Sequence, residues 1–414
     1  MAATLDSMVL GYFTKGLAHL ADGSVCWWDS KSKAARPAIK ATAVVSVKAC
    51  SLTGLHAVLT LDGHILAGFG MESPLIDITL SLPDGLNNEQ LEDAEIYVSS
   101  NVITVKILNS ISFLYVLKAD SCDKSLVVRD STIDVLPCII NLSSFATGHG
   151  LIRTSDNSTY LIDASRYTGC SCKPVDIADA ENIQEIVCAP GFTMLIMKNG
   201  TVRACGLFSN DWRGKASSFI SNDYKSNDWF PSESNPFVQI EFTDDVSVAK
   251  IVTSGLQVFY ITTAGQCYYS IADSRNKGSP VLVKGFADYC VENIFIIGGA
   301  VIAQGDNGKL CSMWLIHYGP DWSIRLAIDD LYGSRCARAL PVLDNKDIIS
   351  IDRVGRKLCL TNSEGHVYAC EPWDLVYNSL IEEIAFFADN PVMVEHASAR
   401  IGSTASILSN AQVQ

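Results

Sequence analysis

An aliphatic residue that closes a short apolar pair is followed, fourteen positions on, by the glycine of a tight turn. The spacing recurs down the chain: Ile186 to Gly200, Ile251 to Gly265, Ile294 to Gly308, Ile351 to Gly365 and Val9 to Gly23. A register kept that often marks a repeated supersecondary unit rather than a run of coincidences. The anchors belong to apolar pairs three apart, Ile183/Ile186, Val248/Ile251, Val291/Ile294 and Ile348/Ile351, and Val44/Val47 and Ile381/Ile384 add two more. A small-residue kink follows, as at Ala189-Pro190-Gly191 or Ser254-Gly255, and then an apolar run such as 194–197 or 258–261. The turns Asn199-Gly200, Ala264-Gly265, Asn307-Gly308, Glu364-Gly365, Asp22-Gly23 and Asp62-Gly63 reverse the chain into another strand. Glycine after Asn or Asp suits two-residue hairpins, whose backbone needs positive φ.

Two looser copies place Ile96 before Asn109-Ser110 and Leu142 before Asp156-Asn157. The anchors Val9, Val47, Ile96, Leu142, Ile186, Ile251, Ile294, Ile351 and Ile384 then stand 33 to 65 residues apart. Several short strands in a period of roughly 40–50 residues read as propeller blades. Residues 374–387 are the best helix candidate, but the Ile381/Ile384 pair within them argues for a strand and a partial ninth unit. Closure of such a ring requires its first and last strands to share a blade. The expectation here is that 24–28 joins the Ile381 unit.

On the apolar pair, the glycine-containing kink, the apolar strand, the tight turn and the strand that follows it, the chain resembles the regulator-of-chromosome-condensation (RCC) repeat family of β-propellers. The best copies are 183–206, 44–70 and 348–370, and the likeness runs from about Val9 to Phe387. One departure is consistent: the family's strand-ending Trp-Gly becomes Cys205-Gly206, Phe69-Gly70 or Cys370-Glu371, and the histidine after the kink survives as His56 and His149. The resemblance implies an all-β, seven-bladed propeller, with eight blades as the alternative. The expected domain plan is one propeller over 1–396, insertions at about 207–246 and 317–346, and a flexible tail over 397–414.

Composition agrees with that plan. At 48% hydrophobic and only 18% charged residues, the chain has what many short, buried strands require. The N-terminus lacks a basic segment followed by an apolar core, and the longest apolar run, 294–303, falls far short of the roughly 20 residues a spanning helix needs. A cytoplasmic or nuclear protein without membrane contact is expected. Fourteen cysteines lie largely inside predicted strands, Cys26, Cys205, Cys267, Cys311 and Cys370 among them, and read as buried thiols; Cys170-Ser171-Cys172 lacks the second pair or histidine of a zinc site. A net charge of −14 with no dense basic run disfavours direct nucleic-acid contact and favours a basic protein partner.

Linear catalytic motifs are absent: there is no P-loop, no His-Glu-x-x-His and no Gly-x-Ser-x-Gly, and the seven histidines show no ligand spacing. No cofactor or metal is expected. Attention moves to the insertions, since loops on a rigid scaffold carry specificity. Segment 207–246 repeats Ser-Asn-Asp followed by an aromatic residue, supplying Asp211, Trp212, Tyr224, Asp228 and Trp229; 317–346 supplies Trp322, Arg325 and Tyr332. Aromatic anchors beside charges have the composition of protein-binding hot spots, while a flap packed on its own blade would use the same residues. The stretch 324–331 reads equally as an ordinary outer strand. The leading expectation is a monomeric, non-catalytic interaction module or adaptor. Because some RCC relatives pry nucleotide and magnesium from a small GTPase, the resemblance also implies an alternative: a guanine-nucleotide exchange factor for a Ran-like or other small GTPase, with 207–246 as its wedge.

Overall fold

The computed structural model describes residues 5–6, 15–29, 34–37, 44–49, 55–60, 62–69, 75–78, 94–99, 102–106, 111–119, 126–137, 139–142, 149–163, 171–189, 191–206, 236–254, 257–272, 279–287, 289–297, 300–306, 310–317, 324–326, 338–339, 348–354, 357–371 and 381–391. Their strands form eight antiparallel sheets, each hydrogen-bonded in chain order. Sheet 1 comprises Leu5–Asp6, Lys15–His19, Val25–Asp29 and Ala34–Pro37, and sheet 2 comprises Val44–Ala49, Leu55–Thr60, Ile65–Phe69 and Ile76–Asp77. Glu95–Ser99, Val102–Lys106, Ile111–Ala119 and Leu126–Pro137 make sheet 3; Ile139–Leu142, His149–Thr154, Thr159–Asp163 and Ser171–Pro174 make sheet 4. In sheet 5 the strands are Ile183–Ala189, Phe192–Met197, Val202–Gly206 and Val238–Gln239, and in sheet 6 Val248–Ser254, Gln257–Thr262, Cys267–Ile271 and Val281–Leu282. Sheet 7 has Val291–Ile297, Ala300–Gly305, Leu310–His317 and Ile324–Leu326, with Arg338–Ala339 also pairing the third strand. Ile348–Val354, Lys357–Asn362, Val367–Cys370 and Glu382–Glu383 complete sheet 8.

Four strands in chain order per sheet is blade topology, and the fold is the expected all-β propeller. Eight such sheets are found among the described residues. By packing, one unit holds Met1–Asp176, Ile348–Glu371 and Ile381–Gly402, hence sheets 1–4 and 8; the other holds Ile177–Asp347, Pro372–Leu380 and Ser403–Gln414, hence sheets 5–7.

The apolar pairs three apart have a structural cause. In a regular strand, residues i and i+3 face opposite sides. Between Ile183 and Glu185 the ladder advances two residues on the first strand against one on its partner, and the same bulge follows Val44, Ile139, Val248, Val291 and Ile348. One inserted residue returns Ile186 to the face of Ile183, and both are buried.

The fourteen-residue register has a cause as well. Gly200 and Gly265 have φ of 79° and 74°, and their carbonyls accept hydrogen bonds from Val248 and Val291, the first anchors of the following sheets, at 2.9 and 2.8 Å. Gly23 accepts from Val44 at 3.2 Å in the same way. These three turns therefore dock on the next sheet, and beneath the turn of sheet 5 a shared cluster fills the space: Val187, Met194 and Ile196 meet Val248, Val258 and Tyr260. Asn157, with φ 66°, fills the glycine place in sheet 4.

Three expectations need correction. Leu5, opposite Ala18, holds the place that Ile186 holds opposite Leu195, where the spacing had nominated Val9; Val9 itself lies outside the described residues. The Ile381/Ile384 pair does not begin a ninth sheet. Glu382–Glu383 is the outer strand of sheet 8, ended by buried Ile384, whose N–H donates to the Val367 carbonyl as Ile240 donates to Val202 and Val283 to Cys267. A five-residue helix, α1 (Ala385–Asp389), follows.

Closure also differs from the expected strand exchange. Residues 25–29 pair within sheet 1 and do not join the Ile381 unit. Instead Ala21 donates to the Pro391 carbonyl at 2.8 Å, whereas Lys198, Thr263 and Asp306 at equivalent turns donate to Asn182, Ser247 and Cys290 of their own sheets. Pro391 thus supplies from the far end of the sequence what sheet 1 does not supply for itself. Behind it Ala18, Leu20, Cys26 and Trp28 share a core with Cys359, Val367, Ala369, Ile384 and Phe387.

Candidate functional site

The nominated insertion residues Asp211, Trp212, Tyr224, Asp228, Trp229, Trp322 and Tyr332 lie outside the described residues, as does the tail from 397. Arg325 is on the outer strand Ile324–Leu326, opposite Ile316, so the outer-strand reading of 324–331 holds over those three residues.

The bulges place a polar residue before each second anchor. In the sheet 5–7 unit, these are Glu185, Lys250 and Asn293 on successive first strands. Lys250 Nζ donates to Asn293 Oδ1 at 2.9 Å, and that oxygen also accepts the Ile294 N–H at 3.0 Å. Burial pushes the Glu185 carboxyl up to about 7, with Lys250 drawing it back; the Lys250 amine is lowered by burial against the pull of Glu185 and Glu292. A half-buried cation fixed to an amide between two carboxylates is internally balanced. It joins first strands rather than presenting a free charge.

Thiols behave as packing groups. Cys26, Cys188, Cys205, Cys267, Cys311, Cys359 and Cys370 are buried thiols, as expected. Cys188 lies 3.5 Å from Thr193 Oγ1, which stands between it and Cys205 in one cross-strand row. Burial pushes the Cys26 and Cys311 thiols up to about 12 and raises Cys205 and Cys267 too, which removes the reactive thiolate. Cys172 is half-buried, and its neighbour Cys170 lies outside the described residues. Among the described residues, no three His, Cys, Asp or Glu side chains converge as a metal site.

Among the described residues, the most site-like feature is in the other unit, where sheets 1 and 8 share their core. A cleft of about 140 Å³ is lined by Trp28, Lys357, Ala369, Glu382, Glu383, Ile384, Ala385 and Phe386. Apolar side chains form much of its lining: Trp28 is packed against Phe387 at 5.8 Å between ring centroids, and Phe386 meets Phe387 at 5.1 Å. Exposed Glu382 and Glu383 bring charge to it. Glu383 Oε1 lies 3.0 Å from His366 Nδ1, which repeats in sheet 8 the 2.7 Å pair of His64 with Asp77 in sheet 2. Both histidines follow the turn glycine and meet the acid of their own outer strand. Trp28 is 1% exposed, and its indole N–H is buried without an acceptor among the described residues.

Sequence reasoning missed this cleft. Its two halves come from opposite ends of the chain, and the available signal was slight: a Glu-Glu pair set between Ile381 and Ile384.

The sequence matches no protein-family model and no curated protein. Solved structures with a similar fold include yeast RCC1 (Prp20) bound to Kap60, at 12% identity, 86% coverage of each chain and a TM-score of 0.47. Prp20p from Saccharomyces cerevisiae, in a structure reported with its binding to Gsp1p and histones, is 10% identical over 75% of this chain and 80% of its own, with a TM-score of 0.44. BamB from Moraxella catarrhalis is 10% identical over 90% of this chain and 98% of its own, also with a TM-score of 0.44.

Proposed function

We propose that the chain is a non-catalytic β-propeller interaction module that holds a protein partner on its surface, with the cleft beside Trp28 as a contact point. The observation that carries this reading is the cleft's construction: largely apolar walls with carboxylates within reach. Its size decides between ligand classes. Small-molecule and cofactor sites usually enclose about 300–1,000 Å³, and 140 Å³ suits one inserted side chain instead. Buried aromatic pockets that receive a single anchor are the energetic centres of many protein interfaces.

Partners co-isolated with the full chain provide the test. Ala385→Trp fills the cleft from its exposed rim, and a second variant lacks 207–246. Loss of a partner from Ala385→Trp, with its affinity then measured on purified proteins, supports the reading. Retention of every partner by Ala385→Trp overturns it, and losses confined to the deletion would move the interface to the insertion.

A further inference from the structure

We propose that the cleft beside Trp28 takes an apolar side chain from a short peptide segment in which Lys or Arg flanks that residue. The inference rests on the interaction-module reading and adds the chemistry of the occupant.

Three observations converge on it. Among the lining residues, Glu382 and Glu383 outnumber the single cation Lys357, and both carboxylates are exposed where an incoming chain would pass. His366 fixes Glu383 from its own sheet, so this carboxylate is positioned before any partner arrives. The apolar lining is the third. Ile384, Phe386 and Ala369 meanwhile provide the apolar contact that a Leu or Met side chain needs, and about 140 Å³ admits one such group.

Glu382 and Glu383 also form the outer strand of sheet 8. Adjacent carboxylates on an outer strand repel an acidic strand by charge and must be desolvated by an uncharged one without compensation. A basic segment offsets that cost by ion pairing. The chain's net charge of −14 extends the same preference to longer range and speeds encounter with a basic partner at low salt.

Fluorescently labelled nonapeptides with a central Leu test the inference on the full chain by anisotropy, with Lys, Ser or Glu on both sides of the Leu. The Lys-flanked peptide is expected to bind at least tenfold more tightly than the Glu-flanked one, with the gap narrowing as salt rises. Reversing both carboxylates in Glu382→Lys/Glu383→Lys should weaken the Lys-flanked peptide by roughly tenfold, as expected for two exposed pairs, and improve the Glu-flanked one. Melting temperature and circular dichroism of the variant confirm that it folds, and Glu382→Gln/Glu383→Gln gives an intermediate loss by a milder change. Equal binding of all three peptides that is still abolished by Ala385→Trp would overturn the basic-segment inference while leaving the interaction cleft intact. Binding of no peptide, or binding indifferent to Ala385→Trp, would overturn both.

Discussion

Replacing Gly200 by Ala tests the docking of the sheet 5 turn on sheet 6. At its φ of 79°, a Cβ would lie 1.9 Å from Ser247 Oγ, 2.7 Å from Ser247 Cβ and 2.8 Å from Ser247 Cα. The hydroxyl can rotate away, but the backbone cannot. The left-handed conformation costs an alanine about 1–2 kcal/mol. Relieving the overlap with Ser247 adds about 1–3 kcal/mol of overpacking. The only relief is to part the turn from sheet 6, which strains the 2.9 Å bond from Val248 to the Gly200 carbonyl and forfeits about 1 kcal/mol. A total of about 3–6 kcal/mol follows, a large share of the roughly 5–15 kcal/mol that keeps a domain folded. Urea unfolding of Gly200→Ala measures the loss, and hydrogen exchange at the Val248 amide locates it. Adding Ser247→Gly should restore about 1–2 kcal/mol, because it removes the side-chain overlap but relieves neither the crowding against the backbone at 247 nor the φ strain. A loss below about 1 kcal/mol, or no recovery on adding Ser247→Gly, would refute turn docking as the cause of the register.

The remaining expectations concern burial and charge. Glu185 has a folded pKa raised above its unfolded value, so its contribution is fully present below about pH 4.5 and is lost as pH rises through about 7; Glu185→Gln should abolish that part of the pH dependence of the melting temperature, and an unchanged slope would contradict it. Ile251→Ala empties a fully buried anchor and should cost about 2–5 kcal/mol in denaturant unfolding; a loss under about 1 kcal/mol would remove it from the core. Mass-spectrometric mapping after brief alkylation of the native chain should find exposed Cys290 modified and Cys188, Cys205 and Cys267 protected, and rapid labelling of these three would contradict their burial.

What could be read in the sequence was whatever a single blade repeats. The anchor pairs and turn glycines are local devices, so Ile186, Ile251, Ile351, Gly200, Gly265 and Gly365 took their expected places. Even there the bulge itself stayed hidden, because apolar spacing records the face on which a residue ends and not the extra residue that puts it there. The Ile381/Ile384 pair shows the ambiguity. Two apolar residues three apart also arise where a two-residue outer strand ends on a buried residue, and the pairing of 382–384 with the third strand of sheet 8 separates the cases. Leu5 replaced Val9 because pairing with Ala18 decides register and glycine spacing does not. The cleft was illegible for the same reason: Trp28 and Glu383 meet through the packing of sheets 1 and 8, and neither local sequence names the other.

That meeting of the two chain ends is the claim on which both the fold and the cleft rest, and amide hydrogen exchange in Phe387→Ala tests it most directly. Phe387 is fully buried against Trp28, so its truncation should speed exchange at Ala18, Ala21 and Cys26 near the other end of the sequence while leaving Val187 and Val252 unchanged. Faster exchange confined to the immediate sequence neighbours of residue 387, with sheet 1 as protected as before, would contradict it.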